Sequence, residues 1–108
     1  MKDSYGVVWR EDGGPLGRGK LELLAGSLRL DGIAASRSTV REVPYDQLAG
    51  VRVGRAKGDR IAGRPTVVLQ QRSGGTIFVA SVSEPGAIGE LAERLTLLPP
   101  GLRSDNGH

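Results

Sequence analysis

The sequence predicts a mainly β domain: seven short antiparallel strands forming a sandwich or partly open barrel, capped by one C-terminal α-helix. Three observations predict it. First, 17 glycines and 6 prolines stand in 108 residues, against a usual combined share of roughly 12%, and such punctuation favours short strands and turns over long helices. Second, apolar and polar residues alternate in successive runs of five to eight, the period of a half-buried strand. Third, that period gives way after Ser83 to one of helical spacing.

Taken in order, the first strand is Tyr5 to Glu11, stopped by Asp12-Gly13-Gly14-Pro15. Arg18 to Leu24 and Ser27 to Asp31 flank Ala25-Gly26 and read as a hairpin. Asp31-Gly32 opens a loop of small residues, Ala34, Ala35 and Ser36, before a fourth strand from Thr39 to Val43 that Pro44 ends. After a short turn, Tyr45 to Leu48, the fifth strand runs from Ala49 to Arg55 with Val51 and Val53 inward, followed by a polar loop from Ala56 to Arg64. Thr66 to Gln71 and Thr76 to Val82 form a closing hairpin about Arg72-Ser73-Gly74-Gly75. From Ser83, Ile88, Leu91, Ala92, Leu95 and Leu98 line one helical face, with Glu90, Glu93 and Arg94 opposite. Ser83 is placed to cap this helix, Pro85 fits its first turn, and Pro99-Pro100 stops it. Residues 1–98 therefore read as one domain and 99–108 as a disordered polar tail. Seven strands must roll or stack to hide their apolar faces, and the helix then plugs an open end.

Composition narrows the chemistry. There is no cysteine and one histidine, which excludes disulfides, thiol nucleophiles and His/Cys metal centres. That histidine, His108, ends the tail, so no serine has an evident base, and the acids form no acid/base pair or metal-ligand spacing. No enzyme, cofactor or metal site is expected. No run approaches the roughly 20 apolar residues of a membrane span, and Met1 to Gly6 does not resemble a secretory signal, so the expected location is the cytoplasm with any membrane contact peripheral. Gly58 to Gly63 has the glycine spacing of a phosphate-cradling loop, but Arg64-Pro65 follows where Lys and Ser or Thr belong. Trp9 and Phe78, flanked by valines, read as core.

Seven strands followed by one amphipathic helix, with the segment Arg41-Glu-Val-Pro-Tyr-Asp-Gln-Leu-Ala-Gly-Val-Arg-Val53 between the fourth and fifth strands, resembles the pleckstrin-homology (PH) superfold, in particular its small bacterial relatives. The likeness spans Tyr5 to Leu98 and rests on element order. It departs from signalling members in having no tryptophan in the last helix. The resemblance implies an anion site at the first hairpin, where Arg10, Arg18 and Lys20 stand in the basic positions, with Glu11 and Asp12 beside Arg10 opposing the same anion.

The second basic feature is the stretch from Arg52 to Arg72, where Arg52, Arg55, Lys57, Arg60, Arg64 and Arg72 face only Asp59, a net charge of +5. Such a loop reads as a solvated surface, with contact to anionic lipid headgroups as the functional alternative. Nucleic acid is disfavoured, because no aromatic lies between Asp46 and Ile77 to stack on bases. No small-molecule substrate is evident. The reading is a non-catalytic binding or scaffold module for a protein partner or a second copy of itself. The alternative is a peripheral adaptor that binds an anionic membrane through Arg10, Arg18 and Lys20 or through Arg55, Lys57, Arg60 and Arg64.

Overall fold

The computed structural model describes residues 3–82 and 86–97. Seven strands run in chain order: β1 Ser4–Glu11, β2 Gly17–Leu23, β3 Ser27–Ala34, β4 Arg37–Pro44, β5 Leu48–Gly54, β6 Thr66–Gln71 and β7 Thr76–Ser81; the helix α1 is Ala87–Thr96. They form one antiparallel sheet in the order β4-β3-β2-β1-β7-β6-β5, so β4 and β5 are its two edges. Only a single 3₁₀ turn, Tyr45–Gln47, links those edges. Laid flat, seven strands would hold them about 29 Å apart, whereas Pro44 and Leu48 can be separated by at most about 14 Å of extended chain. The sheet must therefore curl until its edges meet at this corner. It does so without closing into a barrel, giving the mainly β, helix-capped architecture that the alternation predicts.

Curling gives the sheet an inner and an outer face. Tyr5, Val7 and Trp9 of β1, Leu21, Leu28, Leu30, Val43, Val67, Leu69, Ile77 and Val79 fill the inner face as one buried cluster. Midway along β2 and β3 the register pairs Gly19 with Gly32. A Cβ on Gly32 would collide with the Arg18 carbonyl, and one on Gly19 with the Asp31 carbonyl. Gly32 thus marks a close backbone approach inside a strand. This corrects the expected loop at Asp31-Gly32: β3 continues to Ala34 and β4 begins at Arg37. The turn is Ala35-Ser36 alone, with φ of +52° and +65° at the two residues, the left-handed pair of a type I′ hairpin turn. Neither residue type advertises that conformation.

The helix covers the inner face at β5, β6 and β7, burying Ala87, Ile88, Leu91, Ala92 and Leu95; full burial of each larger side chain contributes roughly 1.5–3 kcal/mol. It starts at Ala87 with Gly86 in the N-cap position, later than the expected start at Ser83. Ser83, Pro85, Leu98, Pro99, Pro100 and the expected tail with His108 lie outside the described residues. Arg94 is not on the solvent face. It is half-buried and donates to Tyr5 Oη at 3.1 Å and Asp3 Oδ1 at 3.0 Å, while Tyr5 Oη donates to Glu90 Oε2 at 3.1 Å. The helix is thereby fastened to the start of β1.

The Gly19–Gly32 crossing and the Ala35-Ser36 turn make opposite predictions in urea unfolding. Gly32→Ala overpacks backbone against backbone and lowers stability by about 2–3 kcal/mol, whereas Gly26→Ala, with nothing near its Cβ, leaves it nearly unchanged. Ala35→Asn with Ser36→Gly relieves the left-handed strain and raises stability by about 1 kcal/mol.

Candidate binding groove on the outer sheet face

The outer face is built from the even-numbered residues of β1 and β2 and their cross-strand neighbours. Val8 lies between Arg18 on β2 and Ala80 on β7, and Arg10 lies beside Phe78. The segment from Arg55 to Pro65 folds back across this face from β5. Two contacts seat it. Asp59 packs directly on Gly54, where a Cβ would stand 2.5 Å from the Asp59 Cβ, and its Oδ2 accepts from Arg52 Nη1 at 2.9 Å. Further on, Ala62 and Gly63, with φ of +53° and +74°, turn the chain so that Ile61 and Arg64 pair as an isolated bridge. Ile61 is buried on Val8 and Ala80 with Phe78 alongside, a second small apolar cluster on the outer side of the sheet. Its N–H donates to Thr66 Oγ1 at 3.0 Å.

Between this loop and the β1–β2 hairpin lies an open groove of about 460 Å³, walled by Val8, Leu16, Ile61 and Val82, with Arg18 and Arg64 among its lining residues. Leu16 is 49% and Val82 42% exposed, so the groove leaves apolar surface in contact with water.

The residues singled out from the sequence divide sharply on this face. Arg18 lines the groove and has no hydrogen-bond or ion-pair partner among the described residues. Arg64 lines it too, and its Nη1 donates to the Ser81 carbonyl at 3.1 Å and the Val82 carbonyl at 3.4 Å, which ties the loop to the end of β7. Arg10 turns toward β7 instead: its guanidinium carbon lies 5.2 Å from the Phe78 ring centroid, a cation–π contact, and its Nε is buried without a hydrogen-bond partner. Lys20 stands opposite Asp31 and 3.8 Å from Glu22 Oε2, so its charge is answered on its own face. Glu22 in turn accepts from Arg29 Nη2 at 2.8 Å, and this bond, followed by the nearby Lys20 charge, holds its carboxyl below the usual range. Arg55, Lys57 and Arg60 are exposed on the loop and unpaired among the described residues. Arg10, Arg18 and Lys20 thus share the outer face of β1 and β2, with Arg10 engaged by Phe78 and Lys20 by Glu22, while Arg18 and Arg64 line the same groove.

Three further expectations are corrected. Glu11, although adjacent to Arg10 in sequence, points to the inner face and accepts from Arg41 Nε at 2.8 Å, because neighbours in a strand face opposite ways. Asp12 Oδ2 accepts the Thr76 N–H at 2.9 Å. Phe78 belongs to the outer cluster and not to the main core. The basic stretch is also less bare than its composition implies, since Arg52 is taken by Asp59, Arg64 by two carbonyls, and Arg72 Nε by the Asp46 carbonyl at 3.0 Å. Sequence reading passed over Leu16, Ile61 and Val82. A lone isoleucine in a polar loop and a leucine between Pro15 and Gly17 were the available signals.

The Arg52 hydrogen bond holds the Asp59 carboxyl below its usual range. A depressed carboxyl adds stability that is fully present above its unfolded value and lost as pH falls through the folded one. The loop clip is thus intact at neutral pH and opens in acid, below the ordinary carboxylate range. Asp59→Asn loosens it at all pH values: amide exchange at Ile61 becomes severalfold faster, while that of Leu30, in the main core, is unchanged.

Neither a protein-family model nor a curated protein sequence matches the chain. Among solved structures it is similar to the crystal structure of the C-terminal domain of an unknown protein from Leishmania infantum, with a TM-score of 0.66 and 16% sequence identity over 89% of this chain and 84% of that one. At that identity the likeness establishes a shared fold and nothing beyond it.

Proposed function

We propose that this chain is a non-catalytic, PH-like binding module of the cytoplasm whose outer-face groove docks a partner protein through an apolar side chain next to an acidic one. The observation that carries this reading is the groove itself: a wall of Leu16, Ile61, Val8 and Val82 beside Arg18, a guanidinium with no partner among the described residues. An apolar cleft with a few placed polar groups is the usual form of a recognition site. Here the polar group is a planar cation, whose fork of donors matches a carboxylate.

The second reading, contact with an anionic membrane, is favoured by a different observation. Arg55, Lys57 and Arg60 lie exposed and unpaired among the described residues, on the loop after β5 that forms one wall of the groove. Basic side chains near an anionic leaflet contribute about 1 kcal/mol each, and salt screens the attraction. No helix among the described residues is long and apolar enough to cross a membrane.

Selection from a displayed peptide library separates the two. The groove reading expects enriched peptides that place Asp or Glu beside a large apolar residue, with affinity falling roughly tenfold in Arg18→Glu and similarly in Leu16→Asp, while Lys57→Glu changes little. Peptides without an acidic residue, or binding indifferent to Arg18→Glu, would overturn it. Co-sedimentation with phosphatidylserine vesicles but not phosphatidylcholine vesicles, abolished by high salt and by Lys57→Glu with Arg60→Glu, would establish the membrane reading instead.

A further inference from the structure

The edge strand β4 is open to another chain, and its backbone and side chains together specify what that chain is. It pairs with β3 over eight consecutive residues without a bulge, from Arg37↔Ala34 to Pro44↔Ser27. The other edge, β5, is interrupted between Leu48 and Gly50 and packs on α1. A regular, uninterrupted edge is a template for strand addition, whereas bulges and covering elements blunt one.

The two-residue Ala35-Ser36 turn fixes which β4 groups face outward. In such a hairpin the flanking residues, Ala34 and Arg37, are the hydrogen-bonded pair, and the antiparallel ladder alternates from there. Arg37, Thr39, Arg41 and Val43 therefore direct their N–H and C=O groups to β3. Ser38, Val40 and Glu42 turn theirs away from the sheet. Pro44, which has no N–H to offer, falls in the outward set, where a strand tolerates proline. The Glu42 carbonyl already draws one donor, Arg41 Nη1 at 3.1 Å, and retains a second lone pair.

We propose that β4 pairs antiparallel with β4 of a second copy of this chain about a dyad at Val40. The proposal concerns an edge two strands away from the groove and stands independently of it. In this register Ser38, Val40 and Glu42 each donate one hydrogen bond to the partner copy and accept one, so every outward N–H of the strand is used. Val40 meets Val40, Ser38 meets Glu42, Thr39 meets Arg41, and Arg37 meets Val43. The neighbouring symmetric registers are all worse. A dyad at Thr39 sets Arg37 opposite Arg41, a dyad at Arg41 sets two arginines together, and a dyad at Glu42 sets two carboxylates together and gives Val40 a proline for its partner. A dyad at Ser38 loses half the strand. Charge thus selects one self-pairing, and like charges directly opposite are destabilising. The same register joins exposed apolar surface across the dyad, since Val40 is 63% and Ile33, beside Ser38 on the outer face, 58% exposed.

Sedimentation velocity of the full chain from micromolar to millimolar concentration tests it. The chain is expected to dimerise reversibly. Val40→Glu sets two carboxylates together at the dyad and leaves a monomer with an unchanged circular dichroism spectrum. Ser38→Glu, at an exposed position, opposes Glu42 of the second copy twice per dimer and weakens association by roughly tenfold. Adding Glu42→Lys to Ser38→Glu restores it. A chain that stays monomeric throughout overturns the proposal. So does a dimer indifferent to Val40→Glu, or one whose Ser38→Glu defect is not rescued by Glu42→Lys.

Discussion

The constraint on which this structure depends is the shortness of the link between β4 and β5. These are opposite edges of a seven-stranded sheet, yet only Tyr45, Asp46 and Gln47 lie between them. The backbone cannot span a flat sheet in that distance, so curling is forced by connectivity before any side chain is considered. The link is held firmly. Tyr45 Oη donates to the Leu24 carbonyl at 2.7 Å, the Tyr45 N–H donates to the Gly26 carbonyl at 3.1 Å, and the Arg72 N–H donates to the Gln47 carbonyl at 2.8 Å. One turn thereby clamps the β2–β3 hairpin, both edge strands and the end of β6.

A curled sheet has an interior that must be closed, and the chain closes it differently at different places. The apolar stripe of α1 covers the side of β5, β6 and β7. Elsewhere the closure is polar: Arg41, on the inner face of β4, donates to Glu11 on β1 at 2.8 Å and to the buried Gln71 on β6 at 2.8 Å. These three side chains sit far apart in the strand order and meet only because the edges converge. An arginine suits the position, since its planar fork satisfies two acceptors at once while its stem lies along apolar surface.

The outer face repeats this logic on a smaller scale. The loop after β5 would leave a solvated cationic arc if it projected freely. Asp59 and Ile61 lay it back on the sheet instead, one through Arg52 and the other through burial on Val8 and Ala80. The groove is the gap left between that folded loop and the β1–β2 hairpin. Its walls come from chain positions as distant as Val8, Leu16, Ile61 and Val82, and its cation, Arg18, owes its availability to Glu22 and Asp31 being engaged or facing Lys20 and Arg29.

Alternation of apolar side chains made the seven strands and the mainly β class legible, because period-2 burial is a local property of each strand; the stripe of Ile88, Leu91, Ala92 and Leu95 did the same for the helix. Local patterns misled at Gly32, read as a breaker, because its reason for being glycine is the backbone of Arg18 on the neighbouring strand. They misled also at Arg94 and Glu11, whose partners Asp3, Tyr5 and Arg41 lie 30 or more residues away along the chain. The basic residues were visible as a set, but which of them kept an unanswered charge was not, since neutralisation depends on cross-strand register. By itself the sequence determined the elements and the sign of the surface; only the tertiary structure decided which face each charge occupies and where an apolar groove stays open, because both follow from how a curled sheet brings distant strands into contact.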